Sequence, residues 1–308
     1  MSVVFADVDT GIDDALALIY LLASGADVVG IGSTDGNVGV DQVCANNLGL
    51  LELCGAGDIP VSRGADRPLA GERPRRGDFH GRNGLGYAEL PASSRRVTDY
   101  DSAAAWVAAA RAYPGELIGL ATAPLTNLAL ALRAEPALPE LLRRLVIMGG
   151  VFDGRGPADW NTRVDPQAAA EVYAAWAGQS RLPIVCGLDL TRTVAMTPDI
   201  LARLAGPGTP QPVLRFVVDA MRFYFESHRD RGFGYLAYLH DPLAAAVALD
   251  PQLVTTREAT VDVDLTGQPG MTRAMTSPAR KPNAQLAIEV NREEFMERLI
   301  MRVSSFGP

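Results

Sequence analysis

Short apolar runs alternate with longer amphipathic stretches through the first two-thirds of the chain. Runs of four to six apolar residues that end in turn residues are typical of buried strands, and longer periodic stretches are typical of helices. The pattern predicts strands over 3–8, 28–33, 117–122, 144–148 and 183–187. It predicts intervening helices over 13–24, 40–54, 102–113, 125–134 and 166–176. This alternation predicts an α/β fold with an open, mostly parallel sheet flanked by helices.

The last third of the chain has a different order of elements. Its pattern predicts two helices, three strands and a closing helix, over 211–229, 241–249, 259–264, 271–276, 284–290 and 292–303. The segment 64–96 is rich in Gly, Pro and Arg and lacks periodicity, so we expect a functional loop there. Because no repeat or low-complexity linker divides the sequence, we predict one domain over 1–308.

Composition narrows the classes of function. The chain has 308 residues and a formal net charge of −8, which argues against a nucleic-acid partner because phosphate binding favours a basic surface. The three cysteines form no Cys-x-x-Cys motif, which is typical of a reduced setting. We find no signal peptide and no apolar run long enough to span a membrane. We therefore expect a cytoplasmic enzyme without a membrane partner.

Four carboxylates stand close together near the start of the chain. Asp7, Asp9, Asp13 and Asp14 lie between the apolar run 3–6 and a predicted helix. The turn from strand to helix is the usual ligand crevice of an open α/β sheet. Two carboxylates about 5 Å apart repel each other by roughly 3 kcal/mol at an effective dielectric constant near 20. The cluster therefore calls for a cation, and its all-oxygen ligands suit Ca²⁺ or Mg²⁺ better than zinc.

These acids have two other possible interpretations. Asp13 and Asp14 could simply favour the positive end of a helix, but that leaves Asp7 and Asp9 unexplained. A phosphatase of the haloacid dehalogenase type also begins with a strand followed by Asp-x-Asp-x-Thr, with Asp7 as nucleophile and Asp9 as acid/base. Such an enzyme needs a lysine before a late acidic pair. Lys281 is the only lysine of this chain, and it lies too near the end.

Residues 7–14, Asp-Val-Asp-Thr-Gly-Ile-Asp-Asp, closely resemble the signature of the inosine-uridine preferring nucleoside hydrolases. Further matches follow in the order of that family: Gly36-Asn37, His80-Gly81 with Gly84-Leu85, the segment 123–129, Met148-Gly149-Gly150, Asp159-Trp160-Asn161 and His240-Asp241-Pro242. The resemblance extends over residues 3–242. It implies the Rossmann-like fold of that family and hydrolysis of the N-glycosidic bond of ribonucleosides, with release of free base and ribose.

The resemblance also implies a Ca²⁺ site formed by three carboxylates and one backbone carbonyl: Asp9, Asp14, Asp241 and Thr122. Asp9 would act as general base on the water that the metal positions. Asp7 would lie behind the ligands and orient them. Asp241 has a second possible role, because Asp before Pro is also typical of a helix start.

Six residues would bind the substrate: Asp13, Asn37, His80, Asp153, Asp159 and Asn161. His240 would be the general acid, because an ordinary histidine pKa near 6.5 suits proton donation around neutral pH. Asp153 stands where the family usually has Asn for the ribose 5′-hydroxyl, and Asp159 stands where it usually has Glu. These two departures bear on which sugar is accepted.

The nature of the base pocket and the assembly are also implied by the resemblance. The late motif of this chain contains His240, and the loop around His80 contains no Trp. Both features favour a less selective or pyrimidine-tolerant enzyme. The family further implies a homodimer or a homotetramer. The competing hypothesis is a relative of altered specificity, or one that binds a nucleoside or a sugar without hydrolysing it.

Overall fold

The computed structural model describes residues 1–276 and 279–307. Over these ranges nine strands form one sheet, and two further short strands form a separate antiparallel ribbon. The strands are β1 (Val3–Val8), β2 (Asp27–Ser33), β3 (Val61–Arg63), β4 (Ile118–Ala121), β5 (Arg144–Met148), β6 (Ile184–Cys186), β7 (Ala195–Met196), β8 (Ala237–Tyr238), β9 (Val254–Val263), β10 (Thr272–Met275) and β11 (Ala284–Val290).

Helices connect most of these strands and lie on both faces of the sheet. They are α1 (Ile12–Ala23), α2 (Val40–Leu53), α3 (Ser102–Ala112), α4 (Thr126–Ala134), α5 (Leu138–Leu141), α6 (Trp160–Val164), α7 (Pro166–Ala175), α8 (Leu188–Thr191), α9 (Pro198–Ala205), α10 (Pro212–Asp230), α11 (His240–Leu249) and α12 (Arg292–Ser304), with a 3₁₀ helix at Pro251–Leu253.

The order of the strands opens a crevice beside β1. The sheet runs β10-β9-β11-β6-β5-β4-β1-β2-β3, so the chain leaves β1 towards β3 and returns on the other side at β4. β1 is parallel to both neighbours, and Asp7 is in register with Gly32 and Ala121. The connections diverge at this point, and ligands bind outside the carboxyl ends of strands at such a switch point.

The alternation of side chains along β1 explains why every residue of this strand except Asp7 is apolar. Val4, Ala6 and Val8 belong to the core on the face that holds α1 and α11. Phe5 belongs to the core on the other face, where its ring centroid lies 4.6 Å from that of Trp106 in α3. A strand covered on both faces needs apolar residues at successive positions.

The predicted fold class is confirmed: the central sheet is mostly parallel and flanked by helices. The five strands predicted in the first two-thirds are present, with ends that shift by at most one residue. The largest error is in β9, which begins at Val254 rather than at 259. β9 pairs antiparallel with β11, and the exposed polar side chains of its first half conceal the strand pattern. Seven strands and α-helices were not predicted, of which α9 is the longest: β3, α5, α6, α8, β7, α9 and β8. The segment 64–96 contains no helix or strand, as expected for a loop.

Candidate active site

A cavity of about 460 Å³ lies at the carboxyl ends of the central parallel strands. Carboxylates of Asp9, Asp13 and Asp241 line it, together with the α6 segment on one side. Aromatic and imidazole rings line it as well, among them Tyr224 and Tyr238. A cavity of this size can enclose a small organic ligand, and its few convergent polar groups would orient that ligand.

Two helices bring three of the carboxylates together. The carboxylate oxygens of Asp13, Asp14 and Asp241 lie within 4.8 Å of one another, although Asp241 is more than 200 positions later in the chain. Asp13 and Asp14 are in the first turn of α1, and Asp241 is in the first turn of α11, which packs against α1. All three are buried. Burial, and then repulsion by Asp14, raises the pKa of Asp13 to about 7, and the pKa of Asp241 is raised well above its ordinary value by the same causes.

Asp9 completes the acidic group and has an unsatisfied oxygen. Its Oδ2 accepts a hydrogen bond of 2.7 Å from the backbone N–H of Asn37. Its Oδ1 is buried and has no hydrogen-bond partner among the described residues, and the same is true of Oδ1 of Asp13. Buried polar atoms are normally satisfied, so these oxygens are available to a bound group. A hard cation that prefers oxygen ligands fits this set of donors.

The loop after β2 orients two of the acids through one residue. The backbone N–H of Asn37 donates to Asp9, and its side-chain Nδ2 donates to Asp14 Oδ2 at 3.2 Å. Gly36 permits this close approach, because a Cβ at that position would lie 2.0 Å from Asp9 Oδ2. Gly36 therefore permits the close approach at which Asn37 donates to the two carboxylates.

Thr122 and Asn161 close the other side of the acidic group. Thr122 Oγ1 donates to Asp14 Oδ1 at 2.7 Å. The Thr122 carbonyl, a predicted metal ligand, accepts from Nδ2 of Asn161 at 2.5 Å. The same nitrogen donates to the carbonyl of Met148 at 3.2 Å, so Asn161 links the ends of β4 and β5.

Asp7 lies behind the cavity and not in it. Its carboxylate accepts from Thr34 Oγ1 at 2.7 Å, from Trp106 Nε1 at 2.8 Å and from Asn127 Nδ2 at 3.0 Å. Burial raises the pKa of Asp7, and these three donors oppose that effect. Asp7 thus anchors the end of β1 to the loop after β2 and to α3 and α4. Sequence reasoning assigned no role to Trp106 or Asn127, although Asn127 belongs to the matching segment 123–129.

The structure separates the two residues that depart from the family pattern. Asp159 is the N-cap of α6, where its Oδ1 accepts from the backbone N–H of Thr162 at 3.0 Å. Its other oxygen is buried and has no hydrogen-bond partner in the described part of the chain. Asp153 is exposed on a loop outside the cavity, and its carboxylate accepts from the backbone N–H of Arg155 at 2.8 Å. Asp153 is therefore dropped from the substrate site, because a turn in its own loop holds the side chain.

His80 and Tyr224 both contact the start of α1, and their ring centroids lie 5.2 Å apart. The backbone N–H of Ile12 donates to His80 Nδ1 at 3.1 Å, so the proton of the neutral ring lies on Nε2. The hydroxyl of Tyr224 donates to Asp13 Oδ2 at 3.2 Å. From the sequence, Tyr224 was indistinguishable from a core aromatic residue.

The argument that gave His240 an ordinary pKa is corrected by its surroundings. Burial, and then the positive charges of neighbouring groups including Arg192, lowers the pKa of His240 to about 3. The ring is therefore neutral around neutral pH. Its Nδ1 shares a hydrogen bond of 2.6 Å with Thr191 Oγ1, so Nε2 is the nitrogen available to a ligand.

The third histidine is held by the backbone. His228 Nδ1 lies 2.9 Å from the carbonyl of Tyr224, and its Nε2 accepts from the backbone N–H of Tyr238 at 3.4 Å. Both ring nitrogens are thus used within the fold. Burial lowers the pKa of His228 to about 4.

Two arginines attach the segment 64–96 to the site. Arg73 Nε lies 2.9 Å from Asp35 Oδ2, and Arg76 forms a second ion pair with the same buried carboxylate. Arg76 Nε also donates to the carbonyl of Gly36 at 3.0 Å. The loop is therefore fixed next to the residue pair that orients Asp9. The sequence pattern did not indicate this contact.

Comparison with known proteins identifies the family to which the chain belongs. The family model described as inosine-uridine preferring nucleoside hydrolase matches residues 4–297. The chain belongs to this family. This nucleoside hydrolase is 35% identical to the pyrimidine-specific ribonucleoside hydrolase RihA of Citrobacter koseri, over 99% of this chain and 98% of that protein.

Solved structures show the same fold. A plant nucleoside hydrolase, PpNRh1, superposes with a TM-score of 0.91 at 31% sequence identity, over 99% of both chains. The purine-preferring ribonucleoside hydrolase from Gardnerella vaginalis superposes with a TM-score of 0.90 at 28% identity, again over 99% of both chains.

Family membership decides among the hypotheses raised by the sequence. The predicted family is confirmed, and the chain is a hydrolase of N-glycosyl compounds that acts on small ribonucleosides. The phosphatase hypothesis is thereby excluded. The acidic group can hold a metal ion, as expected for this family. Among the described residues, none of the helices of this nucleoside hydrolase combines the length and apolar character that crossing a membrane requires.

Proposed function

We propose that this nucleoside hydrolase cleaves pyrimidine ribonucleosides with Ca²⁺ as its cation and Asp9 as general base. The observation that carries the proposal is the buried group of Asp9, Asp13, Asp14 and Asp241 with its two unpartnered oxygens. Oxygen ligands without nitrogen or sulfur favour calcium or magnesium over zinc. Burial, and then mutual repulsion, raises the pKa values of Asp9 and Asp241, and a cation would offset that repulsion.

The proposed ligands of the cation are the side chains of Asp9, Asp14 and Asp241 and the carbonyl of Thr122. The ligand role of Thr122 requires that carbonyl to accept from the metal as well as from Asn161, and a carbonyl has two lone pairs. When bound, the cation would position and polarise a water molecule and the ribose hydroxyls.

The residues of the chain supply the remaining chemistry. The water oxygen forms a bond to C1′ while the bond from C1′ to the base nitrogen breaks, and Asp9 accepts a proton from that water. The transition state resembles an oxocarbenium ion, as in glycoside hydrolysis generally. Asn37 and Asp13 on one side, and Asp159 and Asn161 on the other, hold the ribose hydroxyls. Asp159 suits this role because its second oxygen is buried and unsatisfied.

The leaving base must gain a hydrogen bond or a proton as its negative charge develops. We assign this role to His240 through Nε2, because Thr191 occupies Nδ1. The ring is neutral before the reaction, so it acts first as a hydrogen-bond partner of the base. His80 also lines the cavity, and its Nε2–H is a donor that can reach the substrate.

The preference for pyrimidines is supported by the name of the relative RihA, a pyrimidine-specific enzyme. The fold alone does not determine the base, because a purine-preferring enzyme shares it. The proposal also includes one domain over 1–308, a homodimer or homotetramer, a cytoplasmic location and a role in nucleoside salvage or breakdown.

The test is release of free base and ribose from uridine, cytidine, inosine, adenosine and guanosine, with and without a chelator. We expect uridine and cytidine to be hydrolysed fastest, the chelator to abolish hydrolysis, and Ca²⁺ to restore it better than Mg²⁺. Asp9→Asn should lower kcat by about 10²-fold or more, the usual contribution of a general base. The matched control is Asp58→Asn, since Asp58 is exposed and lies outside the cavity. Full activity of chelated enzyme would overturn the metal proposal, and a purine preference would overturn the pyrimidine assignment.

A further inference from the structure

The mouth of the cavity has a charge opposite to that of its floor. Four arginines line the cavity: Arg75, Arg163, Arg192 and Arg231. Arg231 pairs with Asp78, whereas Arg75, Arg163 and Arg192 are exposed and form no ion pair with a carboxylate of the described residues. The carboxylates that line the same cavity are all buried. A cationic rim is therefore present on a chain whose formal net charge is −8.

The helix α6 places one of these arginines next to the proposed ribose site. Asp159 and Asn161 are buried at the start of α6, and Arg163 follows on the same short helix but is exposed. The Arg163 guanidinium lies over the ring of Trp160, 5.2 Å from its centroid. Nε1 of Trp160 is a buried donor without an acceptor among the described residues. The side of the cavity formed by α6 thus offers N–H donors of Trp160 and Arg163 to a bound ligand.

A second arginine lines the cavity from a different element of the chain. Arg75 belongs to the segment 64–96 and lines the cavity. Its neighbours Arg73 and Arg76 are both bound to the buried Asp35, so the backbone around Arg75 is fixed. Two guanidiniums on different elements can therefore approach one anion at the mouth. The planar guanidinium fork matches the oxygens of a phosphate group.

We propose that the site accepts ribonucleoside 5′-monophosphates, with Arg163 and Arg75 binding the phosphate. This proposal rests on the nucleosidase activity proposed above and adds a substrate class to it. A neutral nucleoside offers no anionic acceptor to the arginines at the mouth of the cavity. A 5′-phosphate offers one, and it would bind at the mouth, away from the buried carboxylates. Asp153, which stands at the position of the usual 5′-hydroxyl ligand, lies outside the cavity and does not repel the phosphate there. The reaction is unchanged: water adds to C1′, the base nitrogen leaves with a proton, and ribose 5-phosphate is the second product.

The experiment compares kcat/KM for uridine and uridine 5′-monophosphate in the full-length protein with Ca²⁺. The product is identified, because free ribose would show that a phosphatase had acted first. We expect ribose 5-phosphate as product, and tighter inhibition of uridine hydrolysis by ribose 5-phosphate than by ribose. Arg163→Gln and Arg75→Gln should each lower kcat/KM for the monophosphate by about tenfold or more, as expected for loss of a charged hydrogen bond. The uridine value should change by less than about threefold.

The control is Arg257→Gln, since Arg257 is exposed on β9, lies outside the cavity and forms no ion pair with residues 1–276 or 279–307. Hydrolysis of uridine without hydrolysis of its monophosphate, and equal inhibition by ribose and ribose 5-phosphate, would refute the proposal. Unchanged monophosphate kinetics in both arginine variants would refute the assignment of these residues. If no nucleoside is hydrolysed, the proposed function fails, and calorimetric binding of ribose 5-phosphate against ribose still decides whether the rim binds phosphate.

Discussion

Gly36→Ala is the substitution that best tests how the loop after β2 positions the acids. The new Cβ would lie 2.0 Å from Asp9 Oδ2 and 2.7 Å from its Cγ, far inside contact distance. Asp9 follows directly on a buried strand, so its backbone cannot retreat, and either its carboxylate or the loop has to move. Both movements break the hydrogen bond of 2.7 Å from Asn37.

The magnitude follows from the lost bond and the overlap. A hydrogen bond to a charged group contributes about 1.5 to 3 kcal/mol, and overpacking of a buried site costs about 1 to 3 kcal/mol. The free energy of unfolding should therefore fall by about 3 to 6 kcal/mol. Because the entropy of unfolding scales with chain length, this loss corresponds to a decrease in Tm of about 5 °C or somewhat more. Since Asn37 also donates to Asp14, kcat/KM for uridine should fall by about 10²-fold or more.

The assay is thermal unfolding followed by circular dichroism, together with initial rates of ribose release from uridine. Gly57→Ala is the matched control, because a Cβ at Gly57 would meet only the side chain of Arg95, at 3.9 Å. We expect that variant to retain the Tm and the activity of the unaltered protein. A Gly36→Ala protein with unchanged Tm and unchanged kcat/KM would show that the close approach of Gly36 to Asp9 has no consequence for the site.

Three further predictions concern buried polar groups. Trp106→Phe removes one hydrogen-bond donor from Asp7 and should lower the free energy of unfolding, measured in urea, by about 3 kcal/mol. The control Trp176→Phe creates a similar void without touching Asp7 and should lower that free energy by less. Equal losses in the two variants would contradict a stabilising role for the hydrogen bond from Trp106 to Asp7. Burial holds the pKa of His228 at about 4, below its unfolded value of 6.5, so its contribution to stability is complete above pH 6.5 and is lost as the pH falls towards 4. His228→Gln should therefore show a smaller fall in Tm between about pH 7 and about pH 5 than the unaltered protein, and parallel curves would count against it. Asp241→Asn should leave the stability of the chelated protein within about 1 kcal/mol, because the amide lacks the charge that burial, and then repulsion by Asp13, disfavours. The same variant should abolish the increase in Tm that Ca²⁺ produces, as measured by calorimetry, and a preserved increase would exclude Asp241 as a ligand.

Sequence reasoning located best those functional residues that are close together in the chain. The apolar strand β1 and the acids after it are contiguous, so their periodicity and spacing placed them at the carboxyl edge of a sheet. Elements that are short, or that face solvent on one side, escaped prediction because too few residues carry their pattern. α6 has five residues and β3 has three, and the first half of β9 is polar on its exposed face.

The environment of a side chain could not be predicted from its position in a motif. His240 was assigned an ordinary pKa, but burial and the nearby positive charges keep its ring neutral. Asp153 was placed with the substrate, whereas its own turn holds it outside the cavity. Tyr224, which donates to Asp13, carried no signal that separates it from a core aromatic residue. Such contacts depend on neighbours that are distant in the chain.

The sequence by itself determined the fold class, the family and the carboxylate chemistry, because these follow from periodicity and from residue types at fixed local spacing. Only the tertiary structure decided which groups meet. Packing of α11 against α1 brings Asp241 within 4.8 Å of Asp13 and Asp14, and the tethered loop 64–96 brings Arg75 to the mouth of the same cavity. Burial then sets the charges, since desolvation and mutual repulsion act on the folded arrangement and have no counterpart in the linear sequence.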